Sequence, residues 1–343
     1  MQRLKQRLGR QTVRFQKPVN ILETAAIVGV KEGEGPLGNC FDRVLSDDYW
    51  GEDSWEKAEK KLQLETMRLA LEKAGKKPEQ IDYAMGGDLL NQCISAHYAM
   101  RELPIPFFGL YGACSTMVES MMLGSMVIDA GLAEHITCTT SSHFCSAEKQ
   151  YRFPLEYGGQ RTPSAQWTVT GAGCAILSAQ DKPPYITHAT TGRVVDMGIT
   201  DANNMGAAMA PAAVDTLLAH FRETGFSPLD YDLILTGDLG EIGTDLLCDM
   251  MGKEGHDIYG VHKDCGLLIF DRKAQDVHAG GSGCGCCASV FCGHIFEELK
   301  KGIYSRILVM ATGALMNPQI LLQKESIPGI AHALTIETKK EAD

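Results

Sequence analysis

The chain has 343 residues, 44% hydrophobic and 22% charged, which permits a large core and suggests two domains or one large fold made of two halves. A net charge of −11 argues against general nucleic-acid binding. No apolar run approaches the ~20 residues that span a bilayer, and the twelve scattered cysteines, in a chain too long to need disulfides, read as reduced thiols of a cytosolic compartment.

Residues 1–17, "MQRLKQRLGRQTVRFQK", hold six basic residues and no acidic one. They read as a solvated basic arm. A sharper reading is a contact with anionic lipid, at about 1 kcal/mol per basic residue. The segment behind it, "VNILETAAIVGV", is broken by Asn20 and Glu23 and makes a poor signal peptide. A helix is predicted over 54–74, with Ser54 as N-cap, Trp55, Ala58, Leu62 and Leu69 on its apolar stripe, and Gly75 as its stop.

From there the chain repeats itself. "AGKKPEQIDYAMGGDLL" (Ala74–Leu90) resembles "TGFSPLDYDLILTGDLG" (Thr224–Gly240). Gly75, Pro78, Asp82, Gly87, Asp88 and Leu89 match Gly225, Pro228, Asp232, Gly237, Asp238 and Leu239 at a constant offset of 150 residues. Each copy reads as a helix, a glycine stop, a proline turn, a short strand and a Gly-Asp loop. Downstream, each copy continues as a Gly/Cys turn, a helix, a glycine C-cap (Gly131, Gly302) and a strand (136–140, 307–311). Alternating strands and helices imply parallel or mixed sheets covered by helices. The expected organisation is an α/β fold with a basic arm (1–17), a first half (18–180) and a second half (181–343), joined near Gln180–Pro184. Residues 141–168 form an insertion-like excursion in the first half.

Ligands in such folds gather where loops leave the strand ends. The stretch "LYGACSTMVES" puts Cys114 at what reads as the first turn of a helix, where the helix N-terminus favours a thiolate. The competing reading is a crowded turn that needs small residues. A nucleophilic cysteine requires a base and an oxyanion site. The candidate bases are His143 and His332, where strands open into loops, and His294, which reads as packed within a helix. Asp88 and Asp238 hold equivalent places and either brace their loops or face a shared cleft. Asn91 could offer its amide to a carboxylate. The glycine-dense run "AGGSGCGCC" (Ala279–Cys287), with Ser282 inside it, could cradle an anion through backbone N–H groups. Cys284 and Cys287 form a lone CxxC, short of the four ligands of a structural zinc site. No metal and no cofactor is expected. Walker, GxGxxG and HExxH motifs are missing.

The duplicated βα unit, the Gly-Ala-Cys elbow, "TGAGCAILSA" and "ATGALMNP" resemble the thiolase-like superfamily, whose fold layers helices and sheets as an α-β-α-β-α sandwich. Among its enzymes the chain is most similar to ketoacyl-ACP synthase III type condensing enzymes. There the elbow cysteine takes an acyl group, and a histidine with an asparagine or second histidine from the other half completes the site. "EGPLGNCFD", "GDLLNQ", "YGACST", "TSSH", "YGGQ", "GITDANNMGAAMAPAA", "DCGL", "AGGSGC" and "QKESIPGIAH" resemble more closely a non-enzymatic branch, the stage V sporulation protein AD family of spore-forming Firmicutes.

That resemblance implies a binding protein for dipicolinic acid (pyridine-2,6-dicarboxylate), free or as its Ca²⁺ chelate. It implies a place in the SpoVA channel complex, beside integral-membrane subunits, peripheral on the inner membrane of the forespore and spore. The roles implied are dipicolinate uptake in sporulation and release in germination. A homodimer is expected by analogy with the fold. The enzyme pattern is broken in this chain: the histidine's place falls at or beside Gly237, and the asparagine's near Cys284. No catalytic residue is therefore expected, and Cys114 marks the vestigial nucleophile position. The expected ligand site comprises Cys114, Asp88, Asn91, His143, Asp238, Ser282 and His332, with Phe107, Phe108 or Met117 as apolar walls. The alternative reading is a condensing enzyme using Cys114.

Overall fold

The computed structural model describes residues 6–151 and 160–339. Residues 1–5 of the basic arm and 152–159 of the excursion lie outside the described residues.

Among the described residues ten strands form the continuous path of the main sheet: β1 (Thr12–Val28), β2 (Tyr83–Gly87), β3 (Phe107–Gly109), β4 (His135–Ser142), β5 (Gly171–Ser178), β6 (Tyr185–Thr190), β7 (Leu233–Thr236), β8 (His262–Asp264), β9 (Arg306–Ala314) and β10 (Gly329–Glu337), with Arg43–Val44 pairing off it onto β1. The longer helices are α1 (Trp55–Lys73), α2 (Ile94–Met100), α3 (Thr116–Asp129), α4 (Phe144–Tyr151), α5 (Met205–Thr224), α6 (Gly240–Lys253) and α7 (Cys284–Val290), the last running on through a π turn at Phe291–Ile295.

The strands lie in the order β8-β7-β9-β10-β6-β1-β5-β4-β2-β3. Each half, read outward from its first strand, has the same order, and in each the fifth strand (β5, β10) runs antiparallel to both neighbours. The repeat in sequence is thus a repeat in topology. It holds at atomic detail as well. Gly75 and Gly225 both take left-handed φ (+62° and +80°) to end α1 and α5, as glycine does at a helix C-terminus. The Asp82 carboxylate accepts from the amides of Glu134 and His135, and that of Asp232 from Ser305 and Arg306, pinning each short strand to the next.

Helix α3 packs on β4, β1 and β2 on one side and on β9 and β10 on the other. Met117, Val118, Met121 and Met122 are all buried, the pattern of a helix with core on both sides. With α7 it forms the middle layer. α1 and α2 cover the first half of the sheet, and α5 and α6 the second. The result is the five-layered α-β-α-β-α arrangement.

The basic arm differs from expectation. Its last residues are the start of β1, pairing with β6 from Thr12. The backbone amides of Arg10, Gln11 and Thr12 all donate to the Glu223 carboxylate, at 3.0, 3.0 and 2.7 Å. An acid 211 residues away from Thr12 thus anchors a segment that is basic throughout and reads alone as solvated.

Candidate functional site

The Gly112-Ala113-Cys114 turn joins the end of β3 to α3. Ala113 sits at φ +50°, a conformation costly for a residue with a Cβ. Local hydrogen bonds hold it: Ser115 Oγ donates to the Gly112 carbonyl (2.6 Å), and Thr116 Oγ1 accepts from the Gly112 amide (3.0 Å). A Cβ on Gly112 would lie 2.5 Å from Ser115 Oγ, so a side chain there would displace that hydroxyl from its bond to the Gly112 carbonyl.

Cys114 is buried, and its thiol donates to the Asp238 carboxylate. Burial, then the Asp238 charge, push the thiol well above its ordinary range, and the nearby Gly283 amide does not offset this. The expected helix-terminus effect is therefore overridden, and Cys114 is a protonated thiol. Asp238, equally buried, is raised to about 6 by desolvation against the stabilising bonds from Cys114, Gly283 N–H (3.0 Å) and Thr312 Oγ1 (2.8 Å). A Cβ on Gly237 would lie 3.1 Å from Ala311 Cα and 3.2 Å from Cys287 Cβ. Any side chain there would press on β9 and α7. The Cys284 thiol donates to the Ser141 carbonyl at 2.9 Å and is fully buried.

Beside Cys114 opens a cavity of about 270 Å³. Its walls include Tyr111, Tyr151, Thr168, Ser282, Asn203 and Met316. The Tyr151 hydroxyl donates to the Leu89 carbonyl (2.7 Å) and lies 3.3 Å from the Tyr111 hydroxyl. Thr168 and Ser282 arrive on neighbouring strands of a two-stranded parallel ribbon, Trp167–Thr168 with Gly281–Ser282. Gln166 also lines the cavity; its amide nitrogen is committed to the carbonyls of Asp238 (2.7 Å) and Gly281 (2.8 Å), and its Oε1 has no partner among the described residues. The excursion after residue 141 thus contributes walls from α4 and the ribbon.

Of the seven residues expected at the site, Cys114 and Ser282 line this cavity and Asp238 stands behind Cys114. The other four do not join them. Asp88 is buried as a loop brace, accepting from the amides of Leu90 (2.8 Å) and Ala96 (2.7 Å). Asn91 is exposed on a neighbouring recess that shares Tyr111 and Met316. His143 is buried with Nε2 donating to the Asp48 carbonyl (2.8 Å) and Nδ1 accepting from the Cys145 amide (3.2 Å), and burial lowers its pKa. His332 accepts from the Gly192 amide (3.1 Å) and is pushed down to about 4 by burial. Neither histidine touches the elbow thiol. His294 packs in the π turn beside Cys40.

Two further expectations are corrected. Amides of the glycine-rich run expected to cradle an anion are committed within the protein: Gly283 N–H donates to Asp238, Gly285 N–H to Ser142 Oγ (3.1 Å) and Gly280 N–H to the Val277 carbonyl (3.1 Å). The expected apolar walls also lie elsewhere. Met117 is in the middle-layer core, Phe107 packs under α2, and Phe108 is exposed at the sheet edge. Tyr111 and Tyr151 take their place. They come from distant segments, and no local spacing marks them.

The layered fold with a cysteine elbow at the head of its middle helix defines the thiolase-like class. The chain superposes on acetamide-bound OleA of Xanthomonas campestris with a TM-score of 0.60 (12% identity; 95% of this chain, 100% of that one). It also superposes on 3-oxoacyl-[acyl-carrier-protein] synthase III of Aquifex aeolicus VF5 with a TM-score of 0.55 (12% identity; 93% and 99%). At these identities the likeness is one of fold. Sequence is more specific: the family model of stage V sporulation protein AD matches residues 9–337. The stage V sporulation protein AD of Bacillus subtilis (strain 168) is 44% identical over 329 residues, covering 96% of this chain and 97% of that protein. The chain belongs to the stage V sporulation protein AD family, a family of sporulation proteins with a thiolase-like fold.

Proposed function

We propose that this chain binds dipicolinic acid without chemical turnover, as the peripheral subunit of a spore membrane channel that loads dipicolinate in sporulation and releases it in germination. One observation carries the non-enzymatic half of the reading. The elbow thiol is held protonated against Asp238, while the base's place is a glycine whose Cβ would press on Ala311. A thiol in that state is a poor nucleophile, and the Asp238 carboxylate it meets, at about 6, holds a proton too weakly to take the one on a thiol raised well above its ordinary range.

The binding half rests on the cavity. At about 270 Å³ it lies at the lower end of ligand cavities, which run from about 300 to 1,000 Å³. That suits a single flat ring. Tyr111 and Tyr151 supply aromatic walls, and the hydroxyls of Thr168 and Ser282 with the Asn203 amide supply donors for two carboxylates. Asp238 opposes a dianion until it is protonated or a cation intervenes. Affinity is therefore expected to rise by up to about tenfold from about pH 7.5 to about pH 5.5, as the Asp238 carboxyl takes its proton. It is also expected to be higher with Ca²⁺ than without.

No helix among the described residues is long and apolar enough to cross a membrane. Attachment in this reading runs through integral-membrane channel subunits, with the basic residues before β1 adding an electrostatic contribution, and the protein pairs as a homodimer. Isothermal titration with dipicolinic acid, with and without Ca²⁺, tests the proposal. Saturation near one per chain, weakened in Ser282→Ala and Tyr111→Ala, supports it. No binding, together with an acyl adduct that is lost in Cys114→Ser after incubation with acyl thioesters, replaces it by the condensing-enzyme reading.

A further inference from the structure

Of the twelve thiols ten are buried, and Cys40 and Cys145 are half-exposed. The surroundings of these two are opposite. Cys145 Sγ lies 4.0 Å from a carboxylate oxygen of Asp48, and burial and that charge push it up to about 12. Cys40 Sγ lies 3.7 Å from His294 Nδ1. His294 belongs to the π turn Phe291–Ile295, and Cys40 ends a 3₁₀ turn, Gly38–Cys40, laid across it. A Cβ on Gly293 would lie 2.8 Å from Phe41 Cδ1 and 3.2 Å from the Cys40 carbonyl oxygen, so the glycine before the histidine lets the loop come this close. The Asp42 carboxylate then pins the loop, accepting from the Ala26 amide of β1 (2.8 Å) and pairing with Lys73 (2.8 Å). Glu298 stands four residues beyond His294 on the same helical face, its Oε1 3.8 Å from Nε2. A carboxylate there favours the tautomer with its proton on Nε2, which leaves Nδ1 as the acceptor facing the thiol. Nucleophile, base and orienting acid thus stand in sequence.

The charges around the pair set what it can meet. Burial lowers His294 and raises Cys40, so at neutral pH the resting pair is an imidazole and a thiol. Glu298 favours the imidazolium and opposes the thiolate; Lys301 does the reverse at both, and Lys263 also acts against the ring's protonation. Both lysines are exposed, and neither is paired with a carboxylate among the described residues. A metal ion is a poor match, because among the described residues no three His, Cys, Asp or Glu side chains converge to hold one. An anionic molecule with a bond that a thiolate can open matches better.

We propose that Cys40 and His294 form a thiol–disulfide exchange site for a small anionic disulfide. The Cys40 proton passes to His294 Nδ1 as Sγ attacks one sulfur of the disulfide. The S–S bond breaks, and the departing thiolate takes the proton back from the ring. The products are a mixed disulfide on Cys40 and one small free thiol. The Cys40 sulfur is oxidised and the released sulfur reduced, so no further oxidant is needed. Lys263 and Lys301 attract the carboxylates of the disulfide. The site is independent of the dipicolinate reading, and neither stands or falls with the other.

Incubation of the full chain with glutathione disulfide, read by mass spectrometry of the native protein and its peptides, tests it. Cys40 is expected to take up one glutathione before Cys145 or any buried cysteine does. His294 releases its proton below about pH 6.5 and Cys40 above about pH 9, so the share of the thiolate–imidazolium form is constant between them. The rate is therefore expected to stay nearly flat from about pH 7 to about pH 8.5. His294→Gln is expected to slow it about tenfold or more at pH 7 and to turn the plateau into a rise of about tenfold per pH unit, because attack then waits for the free thiolate. The pH profile of the unaltered chain carries the test if that variant fails to fold. First modification at Cys145, an unaltered chain whose rate climbs about tenfold per pH unit, or a His294→Gln rate equal to that of the unaltered chain overturns the proposal and leaves Cys40 an ordinary half-exposed thiol.

Discussion

Asp88 and Asp238 occupy equivalent places 150 residues apart in two copies of one unit, yet they do different work. Asp88 accepts from two backbone amides of its own loop, those of Leu90 and Ala96. Asp238 turns away from its loop to Gly283 N–H, Thr312 Oγ1 and the Cys114 thiol. In the second half the bracing is done by Asp264, which accepts from the amides of Leu239 (2.8 Å) and Gly240 (3.0 Å) and from Thr236 Oγ1 (2.7 Å). Once a second carboxylate holds the loop, the first is free to face the elbow of the other half. Duplication kept the frame, and a residue outside the repeat released one copy for the site.

Amide substitutions separate the two roles, and here the largest effects are expected. Both Asp88 oxygens receive backbone N–H groups, and Asp264 receives two as well. An asparagine must then point its NH₂ at a backbone donor. Asp88→Asn and Asp264→Asn are each expected to cost about 2–4 kcal/mol in denaturant unfolding, the range for leaving buried groups unpaired. Asp238→Asn can turn its oxygen to Gly283 N–H and its NH₂ to Thr312 Oγ1, which can accept. It is expected to cost less than about 1 kcal/mol. Equal losses at all three positions would break the distinction.

The glycines before these aspartates sharpen the same comparison at smaller amplitude. A Cβ on Gly87 would lie 2.1 Å from the Leu110 carbonyl oxygen, a backbone atom that cannot step aside alone. On Gly237 the nearest atoms are at 3.1 and 3.2 Å. Gly87→Ala is expected to destabilise by roughly 3 kcal/mol and Gly237→Ala by about 1 kcal/mol, measured as shifts in the unfolding midpoint. Gly237→His should fall toward the larger value, because the whole ring must enter between β9 and α7. It should not create acyl transfer.

Much of the frame was legible because glycine, proline and aspartate at the repeat carry backbone meaning. Gly75 and Gly225 end helices in the left-handed region, and Pro78 and Pro228 each open a short 3₁₀ turn. Such requirements are local, so they survive in the sequence as spacing. The cavity was less legible. Tyr111, Tyr151, Thr168, Ser282 and Met316 meet only after two halves and an excursion are folded together. Asp264 sits in "DCGL", a motif quoted for the family resemblance but outside the repeat, and nothing local marks it as the brace of a loop 25 residues earlier. His143 does follow the end of β4, but His332 lies inside β10, paired with Ala311, and not where a strand opens into a loop; the ring nitrogens of both meet backbone groups, a matter of tertiary packing. The basic arm misled for the same reason, since its anchor is Glu223.

The smallest effect, and the most diagnostic, concerns the elbow thiol. Two forces act on it in opposite directions: the head of α3 and the Gly283 amide favour a thiolate, while burial and Asp238 oppose it. In this protein the second pair wins. Alkylation of Cys114 by iodoacetamide at neutral pH, read by mass spectrometry of the native protein, is therefore expected to be slower than that of an ordinary exposed cysteine. Asp238→Asn removes the charge while leaving the burial, so the rate should rise only several-fold, toward but not up to that of a free thiol. A rise of several orders of magnitude would mean that Asp238 alone holds the cysteine inert and that the second half suppresses an otherwise working nucleophile. No change would mean that burial suffices, and that the carboxylate freed by Asp264 serves the cavity's ligand rather than the thiol.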